Sequence, residues 1–380
     1  MPAMSQCVTL GEIAQGAKTA FLGVECDTRV RYTGTTVTTS IASSKVQPMK
    51  HHVSILLPEG AAVVGCIEGA RKTFLLANTF LEGRGERPRF DVNLVALTKV
   101  PRTYDGVFAV QPDASVRSVS HTDLIIIPPV NGDMEEVVTK NRPFFPWIRS
   151  QHEQGAEVAS LCVGAFLLAG TGLLDGKKCS THWSADQQFR TMYPEVDLVS
   201  DRVITDENGL YSSGGANSFW NLLLYLVEKY VDRPLAVLIA KYYEIEIDRV
   251  SQASYFMFKG QKGHEDVAVR KVQEYIERNV QKRVTVASLA DMVALSRRNL
   301  ERRFKKATSN TVVEYMQRVK VESAKMHLER SRAGITEVME RTGYTDTKAF
   351  RTTFKKITGL SPAGISSSSS TNIAPLDLRS

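Results

Sequence analysis

The ten residues NLERRFKKAT at 299–308 return in altered form as AFRTTFKKIT at 349–358. The phenylalanine, paired-lysine and threonine positions of the two segments match at an offset of 50. The segments that precede them, VASLADMVALS at 286–296 and ITEVMERTGYT at 335–345, match at an offset of 49. The chain therefore contains an internal duplication, and the second copy has one extra residue in its turn.

Each copy predicts two helices joined by a tight turn. In the second helix of the first copy, Leu300 and Phe304 are spaced i, i+4 and form an apolar stripe. Phe350 and Phe354 form the equivalent stripe in the second copy. A stripe of this kind docks a helix against a core and leaves its opposite face free, which is the arrangement of a helix-turn-helix unit.

The faces opposite these stripes carry basic and polar side chains. Ser296 and Thr345 are suitable N-caps for the two helices. Guanidinium and ammonium groups on such a face reach base edges and phosphates in the major groove of double-stranded DNA. The residues predicted to contact DNA are Arg297, Arg298, Arg302, Thr347, Lys348 and Arg351.

The charge distribution agrees with a nucleic-acid partner. Residues 264–365 contain 21 Lys/Arg and 12 Asp/Glu, a balance of +9, while the rest of the chain carries a balance of −2. A basic surface taken alone fits a solvated helical face as well as it fits a polyanion partner. Its concentration in the segment that holds the duplication favours nucleic acid.

Residues 266–365 resemble the AraC/XylS family of transcription regulators. The resemblance rests on the two helix-turn-helix units, on the long helix predicted at Val312–Leu328 between them, and on FKKITGLSP at the end of the second unit. Gly343 lies in the second turn, but Ala294 stands where the first turn usually has glycine, and Met339 stands where the second unit usually has alanine. The resemblance implies an all-α DNA-binding domain. The departure at Met339 predicts that the second helix-turn-helix is packed differently from the family pattern.

The region from about 51 to 246 alternates predicted strands with predicted helices. The strands are Val53–Leu57, Phe90–Thr98, Leu124–Ile127 and Glu157–Cys162. The helices lie around Ile67–Phe80, Met134–Gln154, Gly164–Leu174 and Ala216–Tyr230. Alternation of this kind predicts βαβ units and a mostly parallel sheet that is covered on both faces.

The stretch SLCVGAFLLAG at 160–170 places Cys162 at a strand-to-helix corner, and His182 follows 20 residues later in STHW. A helix N-terminus stabilises a thiolate, and an imidazole can help to ionise the thiol. With these residues, the region from 51 to about 230 resembles the class I glutamine amidotransferase-like superfamily, in particular its branch of small cysteine hydrolases and stress proteins. The resemblance implies a flavodoxin-like α/β fold.

Two parts of that branch's catalytic machinery are altered here. The position of its acidic residue falls at about Gly65, and Glu59 is too early to replace it. The run Pro-Pro-Val at 128–130 stands in place of the Gly-Gly that offers an oxyanion a backbone N–H, and proline has none. We therefore predict a degenerate nucleophile position at Cys162 and His182, with no catalytic residue, metal or cofactor. One alternative is a cysteine-dependent hydrolase or amidase with a basic C-terminal domain, and another is an α/β domain that serves only as a structural scaffold.

An amidotransferase-like domain followed by an AraC-type domain resembles the GlxA group of AraC-type regulators. In that group the first domain is thought to sense small molecules, often amino acids or amines. The resemblance implies that Gly65, Val130, Cys162 and His182 line an effector site at the former catalytic corner. Dimers are usual in both resembled families, so a homodimer is expected.

The predicted organisation has five parts: an N-terminal extension at 1–48, a sensor domain at 49–250, a linker at 251–265, a DNA-binding domain at 266–365 and a disordered tail at 366–380. The extension is read either as an arm or as the product of an upstream translation start. No apolar run approaches the roughly 20 residues that span a bilayer, and no secretory signal is visible, so a cytoplasmic protein without a membrane partner is expected. Five cysteines without a C-x-x-C pair argue against disulfides and structural zinc.

Overall fold

The computed structural model describes residues 50–247, 252, 258, 260, 262, 264–330 and 334–369. These residues form two compact units. An α/β unit contains 50–179, 195–197 and 204–247, and a second unit contains 180–194, 198–203 and the described residues from 252 onward. The predicted extension at 1–48, most of the predicted linker and residues 370–380 of the predicted tail lie outside the described residues.

The strands are short. Their bounds are β1 His51–Leu56, β2 Ala61–Ala62, β3 Phe90–Ala96, β4 Arg102–Tyr104, β5 Phe108–Val110, β6 Ala114–Ser115, β7 Leu124–Ile127, β8 Val130–Asn131, β9 Glu157–Ser160, β10 Lys178–Cys179, β11 Asp197–Leu198, β12 Ile204–Asp206 and β13 Leu210–Ser213.

The α-helices are longer and dominate the C-terminal part of the chain. Their bounds are α1 Val64–Gly83, α2 Met134–Asn141, α3 Phe145–Glu153, α4 Ala165–Gly170, α5 Asp186–Met192, α6 Ser218–Tyr230, α7 Arg233–Tyr242, α8 Val267–Arg278, α9 Val286–Met292, α10 Arg297–Thr308, α11 Val312–Arg330, α12 Ile335–Arg341, α13 Thr347–Thr358 and α14 Pro362–Ser369. Short 3₁₀ turns occupy Arg142–Phe144, Cys162–Gly164 and Trp183–Ala185. Among the described residues, no helix is long and apolar enough to cross a membrane.

Seven strands form the central sheet of the α/β unit, in the order β12-β13-β9-β7-β1-β3-β6. Neighbouring strands pair in parallel, except that β12 and β13 are antiparallel. Every residue of β7 is buried, and because successive side chains point to opposite faces, both faces of the sheet are covered. The predicted flavodoxin-like fold with a mostly parallel sheet is confirmed.

Several predicted elements differ from those observed. The helix predicted over Met134–Gln154 is two helices, α2 and α3, separated by a 3₁₀ turn in which Pro143 has no N–H to continue the helix. The helix predicted over Gly164–Leu174 ends at Gly170. Helix α7 was not predicted, although Asp232 caps it by accepting from the Leu235 N–H.

Helices α8 to α14 enclose two separate apolar cores in the second unit. The first core includes Val269, Val272, Ile276, Leu289, Leu300, Phe304, Val312 and Tyr315. The second core includes Val321, Ala324, Leu328, Val338, Phe350, Phe354 and Ile365. Helix α11 contributes to both cores, so it joins the two copies of the duplication. Both predicted apolar stripes are buried, which confirms the predicted docking of α10 and α13.

The boundaries of the units differ from the predicted domains. Residues 180–194 and 198–203 lie within the predicted sensor domain but group with the second unit. Gln252, in the predicted linker, is buried and its Nε2 donates to the carbonyl oxygens of Thr181 at 3.1 Å and Ser200 at 2.8 Å. Helix α14 continues to Ser369, past the predicted end of the DNA-binding domain at 365.

Candidate functional site

The two helix-turn-helix turns have the same backbone form. The N–H of Leu295 and that of Tyr344 each donate to the carbonyl oxygen five residues earlier, at 3.0 and 3.1 Å. Ala294 and Gly343 precede them and both adopt left-handed conformations, with φ of 52° and 71°. Alanine and glycine therefore build the same turn at these positions, so the departure of Ala294 from the family pattern does not change the fold.

The extra residue of the second copy lies directly before its recognition helix. Ser296 caps α10 by accepting from the Asn299 N–H at 3.3 Å, as predicted. Helix α13 is capped by Asp346, whose carboxylate accepts from the Ala349 N–H at 2.6 Å. The prediction that Thr345 is this cap is wrong. Since the turns match at an offset of 49 and the caps at 50, Thr345 is the inserted residue.

The residues predicted to contact DNA all lie exposed on α10 and α13, away from the buried stripes: Arg297, Arg298, Arg302, Thr347, Lys348 and Arg351. Arg297 forms an ion pair with Glu301 at 3.0 Å, and Arg302 donates to the side-chain oxygen of Asn299 at 3.1 Å. Exposed pairs contribute about 0 to 1 kcal/mol, so these contacts do not prevent the guanidinium groups from turning toward another partner. The DNA-contacting role of the six residues stays a prediction.

Arg303 on the same helix has a different environment. Its guanidinium donates two hydrogen bonds to the Asp266 carboxylate, at 2.8 and 2.6 Å. Asp266 also caps α8 by accepting from the Val269 N–H. The Arg303 side chain, which forms this pair, lowers the pKa of Asp266. Arg303 therefore holds α10 against the start of α8.

Cys162 lies at a sharp corner two residues after the end of β9, at the carboxyl edge of the sheet. Its φ of 54° is unusual for a residue with a side chain. Its N–H donates to Ser213 Oγ at 3.1 Å. Burial raises the pKa of the Cys162 thiol to about 11, and the backbone N–H of Val163 offsets this only in part. Burial therefore favours the protonated thiol over the thiolate that a cysteine nucleophile uses.

The turn after Cys162 requires a glycine. A Cβ atom at Gly164 would lie 2.5 Å from the carbonyl oxygen of Ile127 and 2.9 Å from that of Pro128. Both of these atoms are backbone, so neither can move away as a flexible side chain would. The absence of a side chain at Gly164 therefore lets the corner pack against the end of β7.

Gly65 and Val130 lie at the same carboxyl edge as Cys162, since the three residues follow the parallel strands β1, β7 and β9. The antiparallel pair of β2 with β8 places Ala62 opposite Val130, and β8 contacts the Cys162–Gly164 turn. Gly65 is exposed, and a Cβ atom built there meets nothing within 4 Å. The Val130 side chain is only 1% exposed. The structure thus leaves open space at Gly65, where the resembled cysteine hydrolases have their acidic residue.

Two residues near Cys162 were missed from the sequence. Ser213, at the end of β13, accepts the Cys162 N–H, and the sequence signal was its position before Gly-Gly at 214–215. Cys66 is buried, and its thiol pKa is raised to about 12 by burial and by the neighbouring Cys162. Neither residue adds a general base to the corner.

His182 belongs to the second unit. Its ring Nδ1 accepts from the Ser184 N–H at 3.2 Å and lies 2.7 Å from Ser184 Oγ, so the imidazole caps a 3₁₀ turn. Burial lowers the His182 pKa, which favours the neutral imidazole. Its predicted role in effector binding stays a prediction.

Comparisons with known proteins match both halves of the chain. The helix-turn-helix domain family model matches residues 289–367, and the DJ-1/PfpI family model matches residues 80–229. The HTH-type transcriptional regulator GbdR of Pseudomonas aeruginosa is 26% identical over 259 residues, which are 68% of this chain and 69% of that protein.

Two further relatives differ in kind. The HTH-type transcriptional regulator GlxA of Rhizobium meliloti is 21% identical over 225 residues, covering 57% of this chain and 67% of that protein. The isonitrile hydratase of Pseudomonas putida is 29% identical over 154 residues, covering 40% of this chain and 64% of that protein. The chain therefore carries a DJ-1/PfpI-family domain followed by an AraC-type helix-turn-helix domain, and it is a relative of HTH-type transcriptional regulators.

Proposed function

We propose that this protein is a transcription regulator whose helical unit binds double-stranded DNA and whose α/β unit senses a small molecule. The observation that carries the proposal is the duplicated helix-turn-helix. Each recognition helix is docked by two fully buried apolar side chains, while its basic face is exposed. Two such helices in one chain, joined by α11, suit two successive major-groove segments about one helical turn apart.

The test of DNA binding uses the full-length protein. A duplex selected from a random library and a scrambled duplex of equal length serve as probes, each titrated over a range of salt concentrations. We expect tighter binding to the selected duplex and a linear fall of log affinity with log salt on both. Equal affinity for the two duplexes after selection would contradict a sequence-reading role.

The proposed effector site lies at the carboxyl edge of the central sheet, around Gly65, Val130 and Cys162. Open α/β sheets bind ligands outside the carboxyl ends of their strands. The neutral, buried thiol and the open space beside Gly65 suit a ligand better than they suit a nucleophile with a carboxylate partner. By resemblance to the GlxA group we propose an amino acid or amine as the effector.

A thermal-shift screen of amino acids and amines tests this site. A ligand present at 100 times its Kd stabilises the native state by about 2.7 kcal/mol, which a melting curve detects. Gly65→Leu fills the open space at the start of α1, so we expect it to abolish the ligand-induced shift. Lys72→Leu on the same helix is the matched control and should keep the shift. If Gly65→Leu bound the effector as wild type does, the site would lie elsewhere.

We further propose that the α/β unit is not an enzyme. The likeness to an isonitrile hydratase favours the alternative that the α/β unit is an enzyme. A cysteine-dependent enzyme of this kind would use Cys162 as its nucleophile. A thiol with a pKa of about 11 provides little thiolate at neutral pH. We expect no turnover of amides or isonitriles by the wild type, and unchanged DNA binding in Cys162→Ser. A wild-type reaction that disappeared in Cys162→Ser would overturn this proposal.

The remaining proposals concern assembly and location. We propose a homodimer and a cytoplasmic protein, because dimers are usual in the resembled families and DNA is the partner. Analytical ultracentrifugation of the full chain with and without the selected duplex tests the assembly. A monomer in both conditions would contradict the dimer.

A further inference from the structure

The two helix-turn-helix units meet at a junction between the loop after α8 and the turn before α13. The guanidinium of Arg283 donates to Thr345 Oγ1 at 3.1 Å. The carbonyl oxygen of Gln281 lies so close to Gly343 that a Cβ atom there would be 2.4 Å from it. The loop before the first helix-turn-helix copy is therefore in direct contact with the turn of the second copy. The inserted Thr345 provides one of the contacts.

A lysine of α11 completes this junction. Lys320 Nζ donates to the Gly343 carbonyl oxygen at 3.3 Å and lies 5.5 Å from the centre of the Tyr344 ring. Lys282 is exposed next to Arg283 in the loop. We refer to Lys282, Arg283 and Lys320 as the junction cluster. Two of its cations come from the loop after α8, and the third comes from α11, the helix that joins the two helix-turn-helix copies.

No acidic side chain balances the charge of the junction cluster in the described part of the chain, although its cations lie close to one another at the contact between the two copies. Some basic side chains elsewhere in the helical unit have acidic partners, as in the pairs Arg278–Glu274, Arg341–Glu337 and Arg303–Asp266. Among the described residues, none of the three cluster residues forms an ion pair. Arg283 and Lys320 contact neutral oxygens and an aromatic ring. Burial, together with the charge of Arg283, lowers the Lys320 pKa. An anion bound here would offset the repulsion between the Arg283 and Lys320 cations.

The position of the cluster indicates which anion it meets. Thr345 directly precedes Asp346, the cap of recognition helix α13, and Arg283 lies two residues before Thr285, the cap of α9. In a helix-turn-helix unit the first helix crosses the DNA backbone and the second enters the major groove. Between two recognition helices in successive major-groove segments, the DNA presents a stretch of sugar-phosphate backbone, and the cluster lies between the two units.

We propose that the junction cluster binds a backbone phosphate between the two DNA segments read by α10 and α13, and so fixes the spacing between these segments. This inference rests on the proposed DNA-binding function. A cleft of about 250 Å³ beside Lys282, lined also by Arg278, His327 and Arg341, offers similar chemistry to a free phosphate ion. The experiment therefore separates a DNA phosphate from a free one.

The first measurement is the salt dependence of full-length protein on selected and scrambled duplexes. One lost phosphate contact reduces the slope of log affinity against log salt by about 0.9. We expect this reduction on both duplexes for Arg283→Gln, and a wild-type slope for Arg283→Lys. Arg233→Gln is the charge-matched control, since Arg233 is an exposed arginine of the α/β unit paired with Glu228. Thr345→Val keeps every charge and should also keep the wild-type slope, which separates charge from packing.

The second measurement replaces single phosphates between the two half-sites by neutral methylphosphonate. A hydrogen bond to a charged group contributes about 1.5–3 kcal/mol, so one such replacement should weaken wild-type binding by roughly 10-fold to 100-fold. The same replacement should not weaken Arg283→Gln further.

A wild-type slope for Arg283→Gln, or equal losses for both proteins at every methylphosphonate, would overturn the inference. Inorganic phosphate could also inhibit DNA binding more than chloride does at equal ionic strength. If Arg283→Gln abolished this extra inhibition and no methylphosphonate affected binding, the cluster would be a site for a free anion, and the inference would be overturned. A wild type that bound no duplex would instead overturn the proposed function.

Discussion

The two copies of the helix-turn-helix share one backbone form but differ in their surroundings. Ala294 and Ser309 of the first copy have positive φ angles of 52° and 57°, and Gly343 and Gly359 of the second have 71° and 76°. The positive φ alone does not require glycine, because alanine and serine adopt it in the first copy. What distinguishes Gly343 is the backbone of Gln281, in the loop before the first copy, which packs against it.

This difference shows how a duplicated unit becomes asymmetric. The turn of the first copy is exposed at Ala294, whereas the turn of the second lies against Gln281 and Lys320. The second copy therefore carries the contacts that hold both copies together, and its inserted Thr345 supplies a hydroxyl that the first copy does not have. The first copy has more arginine on its recognition helix, which suits a larger share of the base contacts.

The strongest test of this comparison exchanges the residues of the two turns. We expect Gly343→Ala to destabilise the helical unit by at least about 2 kcal/mol, because left-handed backbone costs an alanine roughly 1–2 kcal/mol and the Cβ atom would overlap Gln281. Ala294→Gly should stay within about 1 kcal/mol of wild type, because relief of strain and the entropy of glycine oppose each other. Urea titrations of both variants measure the difference.

A Gly343→Ala variant as stable as wild type would show that the junction between the copies can open without cost. Gly334→Ala is a suitable control, because a Cβ atom there meets nothing within 4 Å. It should change the free energy of unfolding by less than Gly343→Ala does.

The sequence was sufficient to predict the two folds and the repeat, but not the contacts between the repeats. Periodicity identified Leu300, Phe304 and their counterparts because a helix has a fixed number of residues per turn. It could not identify Gln281 or Lys320 as neighbours of Gly343, because their contact depends on how two separately folded turns pack. The cap of α13 was missed because threonine and aspartate are both good N-caps, and only the conformation shows which of two adjacent residues ends the turn.

In the α/β unit, too, the sequence predicted the position of the site but not the contacts within it. Strand order placed Gly65, Val130 and Cys162 at one edge, since parallel strands end together. Sequence could not show that Val130 is buried, that Ser213 takes the Cys162 N–H, or that burial raises the thiol pKa to about 11. These properties depend on chain segments far apart in sequence, and no local pattern encodes them.

The second test concerns the reading faces of the two copies. A bidentate arginine contact to guanine contributes about 1–3 kcal/mol of discrimination. We expect Arg298→Ala and Arg351→Ala each to lose about that much on the selected duplex and less on the scrambled duplex, with preference relaxed at a different base pair for each. Competition titrations with single-base variants of the duplex measure this. Equal losses on both duplexes would mean that these arginines contact only phosphates.

The smallest expected effects concern the helix caps, where the copies differ in charge. Ser296→Ala and Asp346→Ala should each cost about 1 kcal/mol of stability, because each removes the acceptor for an N–H in the first turn. The Asp346 carboxylate also interacts with the helix dipole, and salt screens this interaction. The stability lost in Asp346→Ala should therefore become smaller as salt increases, whereas that lost in Ser296→Ala should not. Asp346→Ser separates the two roles, since serine keeps the cap and removes the negative charge. Because Asp346 begins a helix proposed to enter the major groove, we expect this variant to bind all duplexes more tightly while its stability changes little. Unchanged affinity in Asp346→Ser would place this end of α13 away from the DNA backbone, and the second copy would then read DNA with a different part of its helix from the one proposed.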